Sequence, residues 1–187
     1  MTMSLLTFGV SAQPVYEAEL KVEGSTTSTS YETLSAAVEA VEPGKPATIT
    51  LLKPVELAAD SLQIDGGVKL TIDLNGKSIQ APNRVLRAQN CNLTLTGTGT
   101  VEETDPKNGA ITLKGSNDEQ DTNYTTVTIG EDATLKGFAP AFVTPYESSG
   151  APYAYGVTLN IYGTLVGLTS GEDKSHGVYV NGQIQHT

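Results

Sequence analysis

The chain has 187 residues and a net charge of −10, and only 17% of its residues are charged and 6% aromatic. That length suits one domain, and the abundance of glycine, threonine and β-branched residues favours β-structure over a helical bundle. The acidic balance argues against nucleic acid as a partner, because phosphate binding requires clustered Lys and Arg and the 11 basic residues are scattered.

The N-terminal residues 1–12 have features of an export signal. An apolar run, Leu5–Val10, precedes Ala12, and Val10 and Ala12 occupy the −3 and −1 positions of a cleavage site before Gln13. A positive region is missing ahead of the run, so either the true start lies upstream or the run is a chance apolar N-terminus. Neither this run nor any later segment is long enough to span a membrane. We predict a secreted or cell-surface protein whose residues 13–187 form one domain.

A strand and a helix are predicted next. Val15–Val22 alternates as a strand does, and Gly24–Ser30 is a Ser/Thr-rich loop. A helical apolar stripe follows, spaced i, i+3, i+4 and i+7 and made of Leu34, Ala37, Val38 and Val41. Thr29 with Glu32, or Thr33 alone, would cap the helix at its start, and Pro43-Gly44 ends it. We expect this helix to cover the open end of a β-structure.

The segment Lys69–Ile79 (KLTIDLNGKSI) holds the pattern that the rest of the chain repeats. Leu70, Ile72 and Leu74 alternate with polar residues, and Asn75-Gly76 then turns the chain. Looser copies lie at Asn92–Val101, Thr126–Leu135 and Gly156–Leu165. The second apolar residues of these strands are Ile72, Leu95, Ile129 and Leu159, at intervals of 23, 34 and 30 residues. Such restarts indicate a solenoid with a core turn of roughly 20–25 residues, lengthened by loops.

Each turn also contains a third strand, and the loops are inserted at defined corners. The third strands are predicted at Val85-Leu86, Ala110–Leu113, Ala141–Val143 and Gly177–Val180. The inserted segments Gly115–Tyr124 and Thr144–Tyr155 both connect a third strand to the next first strand, so they should stack on the same side. No capping element is visible before Thr187, and we expect end-to-end stacking with further turns or with another chain.

Tyr31–Val41, Ala47–Leu52 and the turn LTIDLNGKSI together resemble right-handed parallel β-helix proteins of the pectin-lyase-like class. More narrowly, they are similar to the repeat regions of secreted bacterial cell-surface proteins. The resemblance implies an all-β, single-stranded, right-handed parallel β-helix of about five turns with a short N-terminal capping helix. It implies little about function, because that fold hosts lyases, hydrolases and adhesins.

Two inserted loops contain the candidate binding residues. Tyr146, Tyr153 and Tyr155 share one loop and Tyr124 ends the other, and tyrosine combines an apolar ring with a hydroxyl that suits glycan or protein contacts. The alternative is that these rings pack over the corners. Asp118, Glu119 and Asp121 supply carboxylates that could hold Ca²⁺, although the segment lacks an EF-hand's spacing and could be a solvated loop tip.

Catalysis is the weaker hypothesis. A polysaccharide lyase or glycoside hydrolase would need converging carboxylates, with Asp65, Asp73, Arg84 and Arg87 as the nearest candidates. For Asp73 and Asn75, the alternative is an outward residue and a corner residue that bonds a neighbouring turn. Cys91 is the only cysteine, so disulfides within the chain and cysteine-based zinc sites are excluded, and we predict a buried thiol. We predict a non-enzymatic, adhesin-like module that displays loops to glycans or host proteins.

Overall fold

The computed structural model describes residues 14–58, 61–105, 109–116, 120, 122–144, 155–169 and 176–180. These residues form one helix, α1 (Leu34–Glu39), and seventeen strands. The strands are β1 Ala18–Val22, β2 Thr29–Tyr31, β3 Pro46–Leu51, β4 Val55–Glu56, β5 Leu62–Ile64, β6 Lys69–Asp73, β7 Ser78–Ala81, β8 Leu86–Gln89, β9 Asn92–Thr96, β10 Gly99–Glu103, β11 Ile111–Lys114, β12 Thr125–Ile129, β13 Ala133–Gly137, β14 Ala141–Thr144, β15 Val157–Ile161, β16 Thr164–Gly167 and β17 Val178–Val180.

The strands form three sheets, which the chain visits in a fixed order. Sheet A has the order β15-β12-β9-β6-β3-β1-β2, sheet B the order β16-β13-β10-β7-β4, and sheet C the order β17-β14-β11-β8-β5. From β3 onward the chain passes through sheets A, B and C five times, and we call each pass a round. All strand pairs between successive rounds are parallel. The prediction of β-structure built from parallel strands is confirmed.

Equivalent residues of successive rounds stack in columns. Ile72 pairs with Leu95 and Leu95 with Ile129, and all three are fully buried. The predicted alignment of Leu159 is wrong by two residues: Leu159 pairs with Val127, and Ile161 is the residue opposite Ile129. Sequence spacing could not reveal this shift, because Leu159 and Ile161 are both apolar and both face inward, so a shift of two residues leaves the alternation unchanged.

The N-terminal end has a different construction. Strand β1 pairs antiparallel with β3, and β2 pairs antiparallel with β1, so the predicted Ser/Thr-rich loop contains a strand. Thr33 is the N-cap of α1, because its hydroxyl oxygen accepts from the amide of Ala36 at 3.1 Å. The alternative cap, Thr29, lies in β2. The helix buries Leu34, Ala37 and Val38 and packs on β1, β2 and β3, which form one end of sheet A. This position agrees with the expectation that the helix covers the open end of the β-structure.

The corner between sheets A and B explains the Asn-Gly sequence. Asn75 has φ 46°, a left-handed conformation that Asn and Gly tolerate best, and its side chain donates to the carbonyl oxygen of Leu51 at 2.9 Å. In the next round Gly97 has φ +72°, and a Cβ there would lie 2.1 Å from the Asp73 carboxylate. The corners therefore stack so closely that a side chain at Gly97 would collide with the round before it. The prediction that Asn75 bonds a neighbouring turn is confirmed.

The last described round is less buried than the others. Its inward-facing Ile161 and Val178 are 41% and 40% exposed, whereas their partners Ile129 and Ala141 in the preceding round are fully buried. Strands β15, β16 and β17 each have a neighbour on one side only among the described residues. No helix in the described part of the chain is long and apolar enough to cross a membrane.

Candidate functional site

The two loop insertions meet at one corner of the fold. Both leave sheet C, after β11 and β14, and return to sheet A at β12 and β15. Ser116 and Tyr155 form an antiparallel bridge there, with N–H···O distances of 2.9 and 2.8 Å. The amide of Thr125 also donates to the carbonyl oxygen of Gly156 at 2.7 Å. The insertions are therefore joined by backbone hydrogen bonds at their bases. This agrees with the prediction that they stack on the same side of the fold.

Two of the four predicted tyrosines lie at this corner. The side chain of Tyr124 is 60% exposed, and its ring lies against Gly156, where an added Cβ would be 2.5 Å from the ring carbon Cδ1. Tyr155, the residue before Gly156, is half-buried in the Ser116 bridge. Tyr146 and Tyr153 lie outside the described residues. The tyrosine binding surface stays a prediction, with Tyr124 as its accessible member.

The predicted calcium ligands cannot be placed in the fold. Asp118, Glu119 and Asp121 lie outside the described residues. Elsewhere, over the described ranges, no three His, Cys, Asp or Glu side chains are grouped closely enough to hold a metal ion. The calcium site therefore stays a prediction.

Asp73 has a structural role at the end of β6. Its carboxylate accepts from the amide of Asn75 at 2.9 Å and faces the backbone of Gly97. Asp65 instead follows β5 of sheet C, so the two carboxylates leave different sheets. Arg87 also belongs to sheet C, beside Gln63. This arrangement favours the structural interpretation of Asp73 over a catalytic one.

The outer face of sheet A carries a column of threonines that the sequence analysis did not single out. Thr48 pairs with Thr71, Thr71 with Thr94 and Thr94 with Thr128, and Lys21 of β1 stands beside Thr48. Neighbouring strands lie about 4.8 Å apart, so the hydroxyls recur at that interval across the sheet. The signal was present in the sequence as repeated Thr at alternate positions of the apolar strands.

An open groove of about 620 Å³ lies over Thr48, Thr71 and Thr94 of this column. One wall is the turn after β1, which includes Glu23 and Ser25, and the floor is formed by β3, β6 and β9. Lys69 and Asn92, at the starts of β6 and β9, also line it. The groove exists because β1 joins sheet A in antiparallel fashion and projects its turn beside the parallel strands. We call it the sheet A groove.

The sheet A groove contains two lysines without ionic partners. Lys21 and Lys69 are exposed, and within the described part of the chain neither forms an ion pair. The hydroxyls of Thr48, Thr71 and Thr94 likewise make no side-chain hydrogen bond to a described residue. Among the described residues that line the groove, Glu23 is the one carboxylate. The groove therefore offers three hydroxyls and two ammonium groups that are unpaired among the described residues, and Glu19 and Asp73 stand in the next outward row of the same face.

The second cleft lies at the N-terminal end, between α1 and the first round. Its volume is about 630 Å³, and Val38, Val41, Leu62 and Ile64 contribute apolar surface to it. Its polar lining includes Glu39 and Asp65. The described residues that line this cleft include no lysine or arginine, so it differs in chemistry from the sheet A groove.

Cys91, the residue before β9, is buried, as predicted. Cys91 is 4% exposed. Burial raises the pKa of its thiol from 9.0 to about 11; the charge of Asp65 adds to this rise, and a backbone hydrogen bond at Gln89 opposes it. Folding therefore favours the protonated thiol, and this contribution to stability is complete below pH 9.0 and is lost as the pH rises toward 11.

We expect the Cys91 thiol to resist modification in the folded chain. At pH 8 a pKa of about 11 leaves about 100-fold less thiolate than a pKa of 9.0, so reaction with a disulfide reagent such as DTNB should be slowed by at least about 100-fold. The measurement compares labelling rates in buffer and in denaturant, where the rate should return to that of a free thiol. Rapid labelling of the folded protein would contradict the burial of Cys91.

Comparison of the chain with protein-family models, with curated proteins and with solved structures found no match.

Proposed function

We propose that the chain is a right-handed parallel β-helix that acts as a non-enzymatic, exported surface module and presents its inserted loops to glycans or proteins. Five passes through three parallel sheets in constant order support the helical winding. The right hand follows from the strong preference of connections between parallel strands for that sense. The apolar run in residues 1–12 and the resemblance of the repeats to bacterial surface proteins support export.

The position of the two insertions is the observation that carries this proposal. Insertions of unequal length and sequence emerge at the same corner, and the Ser116–Tyr155 bridge joins their bases. The ring of Tyr124 is exposed beside that bridge. A rigid stack of sheets with variable loops on one side is a common arrangement for binding, because the stack holds the loops at fixed positions at little entropic cost.

The outward-facing side chains of sheet A also favour a binding role over a catalytic one. Glycoside hydrolysis uses a pair of carboxylates about 5–10 Å apart across one bond, with one of them available as acid or base. On the described strands, the outward face of sheet A is mainly threonine, and its Asp73 is bonded to the Asn75 amide. The proposal therefore assigns these faces to contact with a ligand and not to bond cleavage.

Replacement of tyrosines at the insertion corner tests the proposal. Once a glycan-array or cell-surface screen has identified a ligand, we expect the combined Tyr124→Ala and Tyr155→Ala variant to raise Kd at least about tenfold, the loss typical of interface aromatics. Tyr162→Ala is the matched control, because Tyr162 is 67% exposed but lies at the corner between sheets A and B.

Two results would overturn the proposed function. Unchanged affinity in the Tyr124/Tyr155 variant, and also in one that further replaces Tyr146 and Tyr153, would remove the insertion corner from binding. Release of new reducing ends or unsaturated sugars from a glycan, abolished by Asp65→Asn or Asp73→Asn, would replace the non-enzymatic role with a catalytic one.

A further inference from the structure

We propose that the second cleft, which we call the α1–β5 cleft, binds an extended peptide of alternating apolar and basic residues, added as a strand to the free edge of β5. The described lining of the cleft is one side of α1 and residues 57–58, 61–66 and 68. It shares no residue with the insertion corner or the sheet A groove. The inference therefore goes beyond the proposed function and does not depend on it.

Strand β5 has an open edge on the side of the cleft. Among the described strands it pairs with β8 alone, because α1 packs on β1, β2 and β3 of sheet A instead. The amide of Leu62 donates to the carbonyl oxygen of Val85 at 3.0 Å, on the β8 side. Since successive residues of such a strand direct their amide and carbonyl groups to opposite sides, those of Gln63 point away from β8. Edge groups of this kind are a template for an added peptide strand.

Apolar side chains line the inner part of the cleft. Leu62 and Ile64 line it from β5, and Val38 and Val41 line it from α1. A peptide strand beside β5 would place every second side chain among these four, in the same inward row as Leu62 and Ile64. The peptide therefore needs apolar residues at alternate positions.

The exposed rim of the cleft is acidic. Glu39 and Asp65 are exposed, and neither forms an ion pair within the described part of the chain, where the lining contains no Lys or Arg. Arg87 stands beside Gln63 on β8, so it lies two strand intervals, or about 10 Å, from an added strand and is largely screened from it. The outward side chains of the peptide therefore face negative charge, and Lys or Arg fits those positions.

The same charges disfavour occupants from the chain itself. Residues 1–13 contain an apolar run but no Lys or Arg to match Glu39 and Asp65. Pairing of two copies at this edge would bring two acidic rims together, which costs free energy through like-charge repulsion. A basic and apolar segment of another protein satisfies the edge groups, the apolar walls and the acidic rim together.

A set of synthetic hexapeptides tests the pattern. The probe is a fluorescein-labelled, amidated peptide of three Lys-Val repeats, and its binding to the full chain is measured by fluorescence anisotropy. We expect it to bind at least about tenfold more tightly than an isomer with three Lys followed by three Val, and than the analogue with Glu in place of Lys. Equal affinity for the probe and its isomer would overturn the proposal.

Backbone methylation of the probe tests strand addition. Amides of alternate residues point to opposite edges of a strand, so N-methylation at either the Val or the Lys positions removes the bonds to β5, depending on strand direction. We expect one methylated series to lose at least about tenfold in affinity and the other to stay within about threefold of the probe. Unchanged affinity in both series would rule out pairing with the β5 edge.

Substitution of the rim tests the named carboxylates. The double variant Glu39→Gln and Asp65→Asn should raise Kd for the probe about fivefold, the loss expected from two exposed ion pairs, and should reduce its salt dependence. The matched control is Glu131→Gln with Asp132→Asn, two exposed acids at the corner between sheets A and B. Wild-type affinity in the rim variant, with thermal unfolding unchanged, would overturn the proposal.

Three further measurements separate the possible occupants and the two binding surfaces. A gain in probe affinity of about tenfold on removal of residues 1–12 would assign the cleft to that segment and overturn the proposal. A dimer in analytical ultracentrifugation that the probe dissociates would assign it to a second copy, with the same consequence. The Tyr124→Ala and Tyr155→Ala variant should bind the probe as wild type does, so loss of ligand binding at the insertion corner and loss of peptide binding at the cleft are distinguishable.

Discussion

Ile129→Ala is expected to lower the free energy of unfolding by about 3 kcal/mol, because it opens a cavity in the middle of a packed column. Ile129 is fully buried, with Leu95 on one side and Ile161 on the other. Parallel strands hold these neighbours at fixed positions, so the column cannot collapse to fill the space. Urea unfolding followed by circular dichroism measures the change, and the midpoint should move to lower urea.

Ile161→Ala is the matched control for that substitution. It removes the same atoms from the same column one strand later, where the side chain is 41% exposed. We expect a loss below about 1 kcal/mol, since less apolar surface is withdrawn from water there. If the two variants were equally destabilised, Ile161 would have to be covered in solution, and the exposed last round would be contradicted.

Thr125→Val should lower stability by about 2–3 kcal/mol although it preserves the shape of the side chain. The hydroxyl of Thr125 is fully buried at the entry to sheet A, where it donates to the carbonyl oxygen of Lys114 at 2.6 Å and accepts from the amide of Asn90 at 2.9 Å. Valine removes both hydrogen bonds and leaves the backbone amide of Asn90 without a partner, beside a methyl group. Chemical denaturation with Thr126→Val, an outward-facing neighbour, as the control measures the loss.

Thr112→Val is expected to raise the free energy of unfolding, in contrast to Thr125→Val. The residue is 2% exposed, and in the described structure its hydroxyl is buried without a hydrogen-bond partner. Valine removes the cost of that unpaired group, so stability should rise by about 1 kcal/mol. A loss comparable to that of Thr125→Val would show that the Thr112 hydroxyl has a partner in solution.

The candidate sites were only partly predictable from the sequence. The insertion corner followed from the spacing of the apolar strands, since a loop between a third strand and a first strand has to emerge at that corner. The sheet A groove did not follow, because it depends on the antiparallel pairing of β1 with β3 and on the turn at Glu23. No local pattern in Val15–Val22 distinguishes an antiparallel strand from a parallel one.

The alternation of apolar and polar residues determined the strands, their inward faces and the repeated order in which they occur. Ile72 and Leu95 were predicted to share a column because each is the second apolar residue of a strand, and they do. Local chemistry likewise determined the helix and the Asn75 corner, since a capping hydroxyl and a left-handed Asn act within a few residues of their own position.

Only the tertiary structure decided the register of β15, the antiparallel end of sheet A and the free lysines of its groove. These features depend on which strands lie side by side, and side-chain alternation is unchanged by a shift of two residues or by a reversal of strand direction. Leu159 and Ile161 are equally apolar, so the pairing of Val127 with Leu159 is settled by the packing of whole rounds against each other.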